Sequence, residues 1–160
     1  MIPGLQRLAP RVYVHAPGLA APPLPAGAIA LAQRPGPAFG DGRHPTTRLC
    51  AGAVDLLLRQ RCPPAVLDVG TGTGILARIA RARGAARIVA TDIDPVALLA
   101  ARSNAALDDH PIAIEIDDRP PDHDGPIFTL VVANILEGPL RQLAPALRAA
   151  LAPGGALLLS

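Results

Sequence analysis

An α/β fold, built on a mostly parallel sheet with helices between its strands, is what this sequence predicts, and three observations predict it. Residues 65–77 (AVLDVGTGTGILA) pass from a short apolar run through alternating glycines into a helical pattern, which reads as a buried strand, a tight turn and a helix start. Residues 87–90 form a second apolar run that leads into Thr91-Asp92-Ile93-Asp94, so Asp92 stands at the carboxyl end of the next strand. Beyond these, strand-like apolar runs go on alternating with helical stretches, as parallel α/β sheets require. Strand, glycine turn, helix, strand and acid together make a nucleoside-binding half.

Composition narrows the function classes. The chain has 160 residues, half of them hydrophobic, which suits one domain with a sizeable core. Its formal charge is +2 and all 15 basic residues are arginine, spread without a dense run. Aromatics make up 2%, so neither a basic footprint nor a stacking platform for nucleic acid is present, and no direct nucleic-acid partner is expected. Cys50 and Cys62 lack the paired spacing of a zinc or redox motif and read as reduced structural thiols, with no metal expected. No apolar run approaches a membrane span or a signal-peptide core, so a cytoplasmic location without membrane contact is expected.

Taken in order, residues 11–15 (RVYVH) alternate like a short strand and residues 28–33 read as another, separated by a proline-rich stretch. Residues 1–34 are thus a lead-in, and residues 35–160 the binding domain. Residues 35–44 form a glycine-punctuated loop, after which Pro45 opens a helix whose first turn holds Thr46 and Thr47. On local chemistry that loop is a connection with a threonine cap. The first crossover helix runs over residues 75–83 and stops at Gly84; Asp94 then caps, and Pro95 starts, a helix reaching residue 106. Residues 112–116 (IAIEI) alternate as a third strand ending at Asp117 and Asp118, and residues 119–126, with their prolines, form a loop. Residues 127–135 (IFTLVVANI) are the longest buried-strand candidate and deliver Asn134 where a parallel sheet presents its ligand groups. A helix over residues 139–151, a Pro153-Gly154-Gly155 break and a strand over residues 156–159 follow, which makes five strands in all.

The choice of nucleoside turns on Asp68, because Gly72, Gly74, Ala77 and Asp92 also satisfy the dinucleotide spacing. A carboxylate beside the glycine turn repels a pyrophosphate and attracts the amino group and sulfonium of S-adenosylmethionine (SAM). That favours SAM, with Asp68, Gly70, Gly72, Asp92 and Asn134 as cofactor-binding candidates. A nicotinamide-dependent dehydrogenase half-domain is the competing reading.

Residues 38–47 (AFGDGRHPTT), 67–76 (LDVGTGTGIL), 92–95 (DIDP) and 133–140 (ANILEGPL) occur in one order in which the chain resembles the PrmA family, class I SAM-dependent methyltransferases that modify ribosomal protein L-eleven. The resemblance covers residues 35–160. It implies a Rossmann-like class I methyltransferase fold and SAM held by Thr47, Gly70, Asp92 and Asn134, which assigns the threonine loop to the cofactor. Two positions depart from the family: Asp41 stands where threonine is usual and Glu137 where a small residue is common, both adding negative charge near the methyl-transfer site. The resemblance also implies an amino-terminal substrate domain and two further sheet strands that this chain lacks. The chain is accordingly expected to be truncated after its fifth strand and to self-associate through an apolar edge over residues 156–159.

The function expected is a SAM-dependent protein N-methyltransferase with a ribosomal protein as its partner. Asn134 is the candidate catalytic residue, its amide oxygen orienting the acceptor nitrogen, and His44 is a candidate proton acceptor. A catalytically silent SAM-binding module is the alternative from a different class.

Overall fold

The computed structural model describes residues 4–19, 23–60, 65–119 and 127–160. In chain order these form β1 (Leu5–Ala9), β2 (Val12–His15), β3 (Ile29–Ala32), α1 (Pro45–Gln60), β4 (Ala65–Val69), α2 (Ile75–Ala82), β5 (Arg87–Thr91), α3 (Pro95–Ala105), β6 (Ile114–Asp117), β7 (Phe128–Ala133), α4 (Glu137–Ala150) and β8 (Leu151–Leu159). No described helix is long and apolar enough to cross a membrane. Cys50 is buried and free, while Cys62 and most of the loop expected over residues 119–126 lie outside the described residues.

The main sheet has the strand order β6-β5-β4-β7-β8, every neighbouring pair parallel. From β4 the chain steps outward to β5 and β6, then returns to β7 on the other side of β4. That reversal opens a crevice at the carboxyl ends of β4 and β7, the place where open α/β sheets bind ligands. Register sharpens the point: Val69 is level with Thr91 on one side and with Ala133 on the other. The next residue of each strand, Gly70, Asp92 and Asn134, therefore emerges at the same edge.

Both faces of the sheet are covered, which explains the nearly continuous apolar strands. Val66, Ile88, Ala90, Leu130 and Val132 pack under α1 and α2, whereas Leu67, Val69, Val89, Val131 and Ala133 pack under Leu147 and Ala150 of α4. Burying one such side chain is worth about 1.5–3 kcal/mol, so the sheet centre is held far more firmly than its rim. The lead-in joins the first of these cores through Leu8, Ala9, Val12, Val14 and Leu31. It forms a separate three-stranded sheet, β1-β2-β3, antiparallel and then parallel.

Three features differ from the sequence expectation. β1 was not foreseen, because Gln6 and Arg7 interrupt its pattern and its burial depends on α1. β8 starts at Leu151 rather than residue 156: Phe128 pairs with Leu151 and Leu130 with Ala156, so the Pro-Gly-Gly break is an irregularity inside one strand. Among the described residues β8 is an edge strand, with Leu157 and Leu159 partly exposed. Third, α2 buries two arginines. Arg78 donates to both carboxylate oxygens of Asp108 and to the Ala32 carbonyl, and Arg81 donates to Asp108 and the Ala105 carbonyl. This cluster fixes α2 against β3 and the turn after α3, at distances of 2.6–2.8 Å.

Candidate functional site

A cavity of about 870 Å³ opens at the carboxyl edge of the main sheet. Gly70 and Gly72 of the turn, Asp92 after β5 and Asn134 after β7 line it together, with Phe39, Ile93 and Leu136 among its apolar walls. The shared register is the reason these polar groups meet, since level strands deliver them to one rim.

The glycine turn is shaped as much by protein as by any ligand. Gly72 has φ +56°, a region that favours glycine, and a Cβ there would lie 2.2 Å from the Phe39 carbonyl oxygen. The loop before α1 is thus laid directly on the turn. Thr73 donates its amide to the Phe39 carbonyl (2.8 Å) and its hydroxyl to the Gly40 carbonyl (2.8 Å). Asn104, wholly buried in α3, completes the seam by donating to the Thr73 carbonyl and accepting from the Arg34 amide. Sequence reasoning missed Asn104. The signal was there, because it continues the buried face formed by Ala97, Leu98 and Ala101 at helical spacing, where a polar side chain needs partners.

Asp92 has two structural duties besides lining the cavity. One oxygen accepts from the Gly72 amide (2.9 Å), the other from the Asp94 amide (3.0 Å). A carboxylate offers about four lone-pair sites, so acceptor capacity is left for a ligand. Asp94 itself caps α3, accepting from the Val96 amide at 2.8 Å, as its place before Pro95 predicted. The Asn134 amide lines the cavity with no hydrogen-bond partner among the described residues.

Thr47 and Asp68 do not reach the cavity lining; Thr46 does. Thr47 is buried in the first turn of α1 with its hydroxyl unpartnered. Asp68 is folded beneath the turn, where one oxygen accepts from the Thr71 hydroxyl (2.6 Å) and the Ala77 amide (3.2 Å) while the other has no partner. Local sequence placed its charge beside a ligand; the fold places it at the amino end of α2. Burial pushes its pKa up to about 6, against the lowering effect of the Thr71 hydroxyl and Ala77 amide, and the nearby Asp92 charge adds to the rise.

A carboxyl with a raised folded pKa favours folding when protonated, so its contribution is lost as pH rises from about 4 through about 6. Asp68→Asn removes this titration. The variant is expected to gain, relative to the natural chain, on the order of 2 kcal/mol of stability between pH 4.5 and pH 7.5. Urea unfolding of both chains at both pH values measures it, and parallel pH dependences would contradict the assignment.

Neither of the departing acids lines the cavity, and each is paired. Asp41 meets Arg43 (3.1 Å) and Glu137 meets Arg141 (2.7 Å) on the surface. His44 does line it, with its ring 5.4 Å from that of Phe39.

Comparison with known proteins identifies the family. The family description Ribosomal protein L11 methyltransferase (PrmA) matches residues 7–160. A ribosomal protein L11 methyltransferase of Vibrio cholerae serotype O1 is 46% identical over 129 residues, covering 79% of this chain and 42% of the relative. One from Nitrosomonas europaea is 46% identical over 165 residues, covering 96% and 51%. The crystal structure of ribosomal protein L11 methylase from Lactobacillus delbrueckii subsp. bulgaricus superimposes with a TM-score of 0.79 at 33% identity, over 98% of this chain and 79% of that one. This chain spans about half the length of the curated relatives it matches. With its all-parallel sheet, its glycine turn and its acid after β5, the fold is the Rossmann-like α/β fold of class I methyltransferases, and the chain belongs to the ribosomal protein L11 methyltransferase (PrmA) family.

Proposed function

We propose that this chain binds SAM and transfers its methyl group to an amine of a ribosomal protein, as the names of its relatives suggest for L11. The observation that carries the reading is the convergence of Gly70, Gly72, Asp92 and Asn134 on one cavity. One polar group of the lining has no hydrogen-bond partner among the described residues and fits a zwitterionic nucleoside there, the Asn134 amide. Asp92 holds the ribose hydroxyls with its spare lone pairs, beside the Gly70 and Gly72 backbone that lines the same cavity. Thr47 and Asp68 act from behind the wall, Asp68 by its negative field on the amino group and sulfonium. Phe39, Ile93 and Leu136 give the cavity its apolar walls.

When bound, SAM would supply an electrophilic methyl group, transferred from sulfur to an amine nitrogen as the C–S bond breaks, with S-adenosylhomocysteine as the leaving product and one proton released from the methylated nitrogen. The chain's own work is positioning. The acceptor must be a neutral amine, a condition met in part by an α-amino group, with a reference pKa of about 8, and by lysine, at about 10.4, only after desolvation. Asn134 accepts a hydrogen bond from that amine, aiming its lone pair. Residues 35–160 supply these groups, with β1 and β2 of the lead-in packed against α1 and β3 against α2. A cytoplasmic location, with no direct nucleic-acid or membrane contact, belongs to the same proposal.

Asn134→Ala is expected to lower the methyl-transfer rate about tenfold or more while changing SAM affinity only a few-fold, because an interaction made mainly in the transition state is lost in turnover. Radiolabelled methyl transfer to ribosomal protein L11 and calorimetric SAM binding, run on the same preparation, separate the two. Equal losses would confine Asn134 to cofactor binding, and absence of transfer by the natural chain despite SAM binding would favour the silent module.

A further inference from the structure

α2 buries more positive charge than its surroundings balance. Arg78 is 0% exposed and Arg81 5%, yet both guanidinium groups share one carboxylate, that of Asp108. Among the described residues no second acid pairs with either. Arginine keeps its charge in a protein interior, so the surplus is not relieved by losing a proton. Buried charges are ordinarily paired, because taking one out of water without a counter-charge is costly. The hydrogen bonds show the same deficit. Asp108 accepts from Nε and Nη2 of Arg78 and from Nη2 of Arg81, and the Ala32 and Ala105 carbonyls take a further bond from each Nη2. Nη1 of Arg78 is buried with no partner, a donor that has lost its hydration without replacement.

Beside this cluster lies a second cavity, of about 330 Å³, bounded by the end of β2, by β3, by α2 and by the turn after α3. Arg78, Arg81 and Asp108 are all on its lining, which shares no residue with that of the nucleoside cavity. It is open to solvent, since the exposed Asp109 and the half-buried His110 line it as well. Asp109 makes no ion pair among the described residues. Nδ1 of His110 accepts from the Ile112 amide at 3.2 Å. An amide only donates, so the neutral ring carries its proton on Nε2, a further donor without a partner among the described residues.

We propose that this cavity is a small-anion site, in which a phosphate or carboxylate group neutralises the surplus charge of the Arg78–Arg81–Asp108 cluster. Guanidinium forks match either group through paired N–H···O bonds. The anion joins β3, α2 and the turn after α3, so its binding stabilises the seat of α2. The site is independent of the nucleoside reading and stands or falls without it.

The test uses the 160-residue chain, with inorganic phosphate and acetate as separate probes and ionic strength held constant with sodium chloride. The urea midpoint is expected to rise and level off with at least one probe, the tighter of the two naming the class of anion. General exclusion of phosphate from the protein surface would raise the midpoint without levelling off. Arg81→Gln removes the surplus charge and leaves both Arg78–Asp108 bonds in place; it is expected to weaken the probe roughly tenfold or more, as loss of a bond to a charged group does. Ala82→Leu narrows the cavity without touching a charge and is expected to weaken it likewise, which keeps the test available if the first variant does not fold. Nitrogen NMR of the labelled His110 ring should show its Nε2 signal shifting along the same titration. No levelling effect from either probe, an Nε2 signal that stays still while the midpoint rises, or undiminished binding in a folded variant would overturn the assignment.

Discussion

Gly72→Ala is expected to destabilise the chain by about 3 kcal/mol or more and to remove SAM binding altogether. A side chain at φ +56° is strained by about 1–2 kcal/mol. The larger effect is steric, since the new Cβ would stand 2.2 Å from the backbone oxygen of Phe39, which no rotamer change can move. The loop must lift off the turn. That movement breaks the Thr73 bonds to Phe39 and Gly40, each worth about 1 kcal/mol, and shifts the Gly72 amide away from Asp92. Gly36, in the same loop, is the control: it has no positive φ, and a methyl group added there would meet nothing within 4 Å. Gly36→Ala should fall within about 0.5 kcal/mol of the natural chain. Urea unfolding of the two variants reads the difference, and similar midpoints would show that the seam between loop and turn is not what closes this site.

Asp92→Ala is expected to weaken SAM by about 3 kcal/mol, roughly a hundredfold in dissociation constant, if both ribose hydroxyls bond this carboxylate. The same substitution leaves the Gly72 and Asp94 amides without their acceptor, so the turn loses its brace as well as its ligand group. Asp92→Asn separates the two contributions, because it keeps the shape and one acceptor oxygen but loses the charge. Its affinity should fall between those of the natural chain and the alanine variant. Calorimetric titration measures all three, and an unchanged dissociation constant for Asp92→Ala would leave Asp92 a purely structural brace.

What the sequence makes legible is local. The apolar run of β4, the glycines and the acid after β5 each declare themselves through backbone requirements that act over a few residues, and so does the Asp94-Pro95 helix start. Asn134 was legible because a polar side chain that closes an apolar strand stands where a parallel sheet meets its ligand. What was hidden depends on partners distant in sequence. The burial of Asp68 follows from how α2 docks on β4, and Asn104 serves a seam between residues 34 and 73. Local chemistry alone read the loop before α1 as a connection, and only its likeness to a known family marked it as part of the site. The contacts that bind it to the glycine turn run mainly through backbone groups, which carry no residue signature. The buried Arg78–Arg81–Asp108 cluster is similarly silent, since charged residues in a helix ordinarily read as its solvated face.

The most direct test of SAM binding at this site is calorimetric titration of the natural chain with SAM and, separately, with NAD. Dinucleotide sites seat a pyrophosphate on the free amides and positive dipole of a helix start. Here that place at α2 is taken, because Asp68 already accepts from the Ala77 amide and brings a buried acid to it. Saturable one-site binding of SAM, abolished by Gly72→Ala, is the predicted result, with no binding heat from NAD. Tight binding of NAD with none of SAM would contradict it.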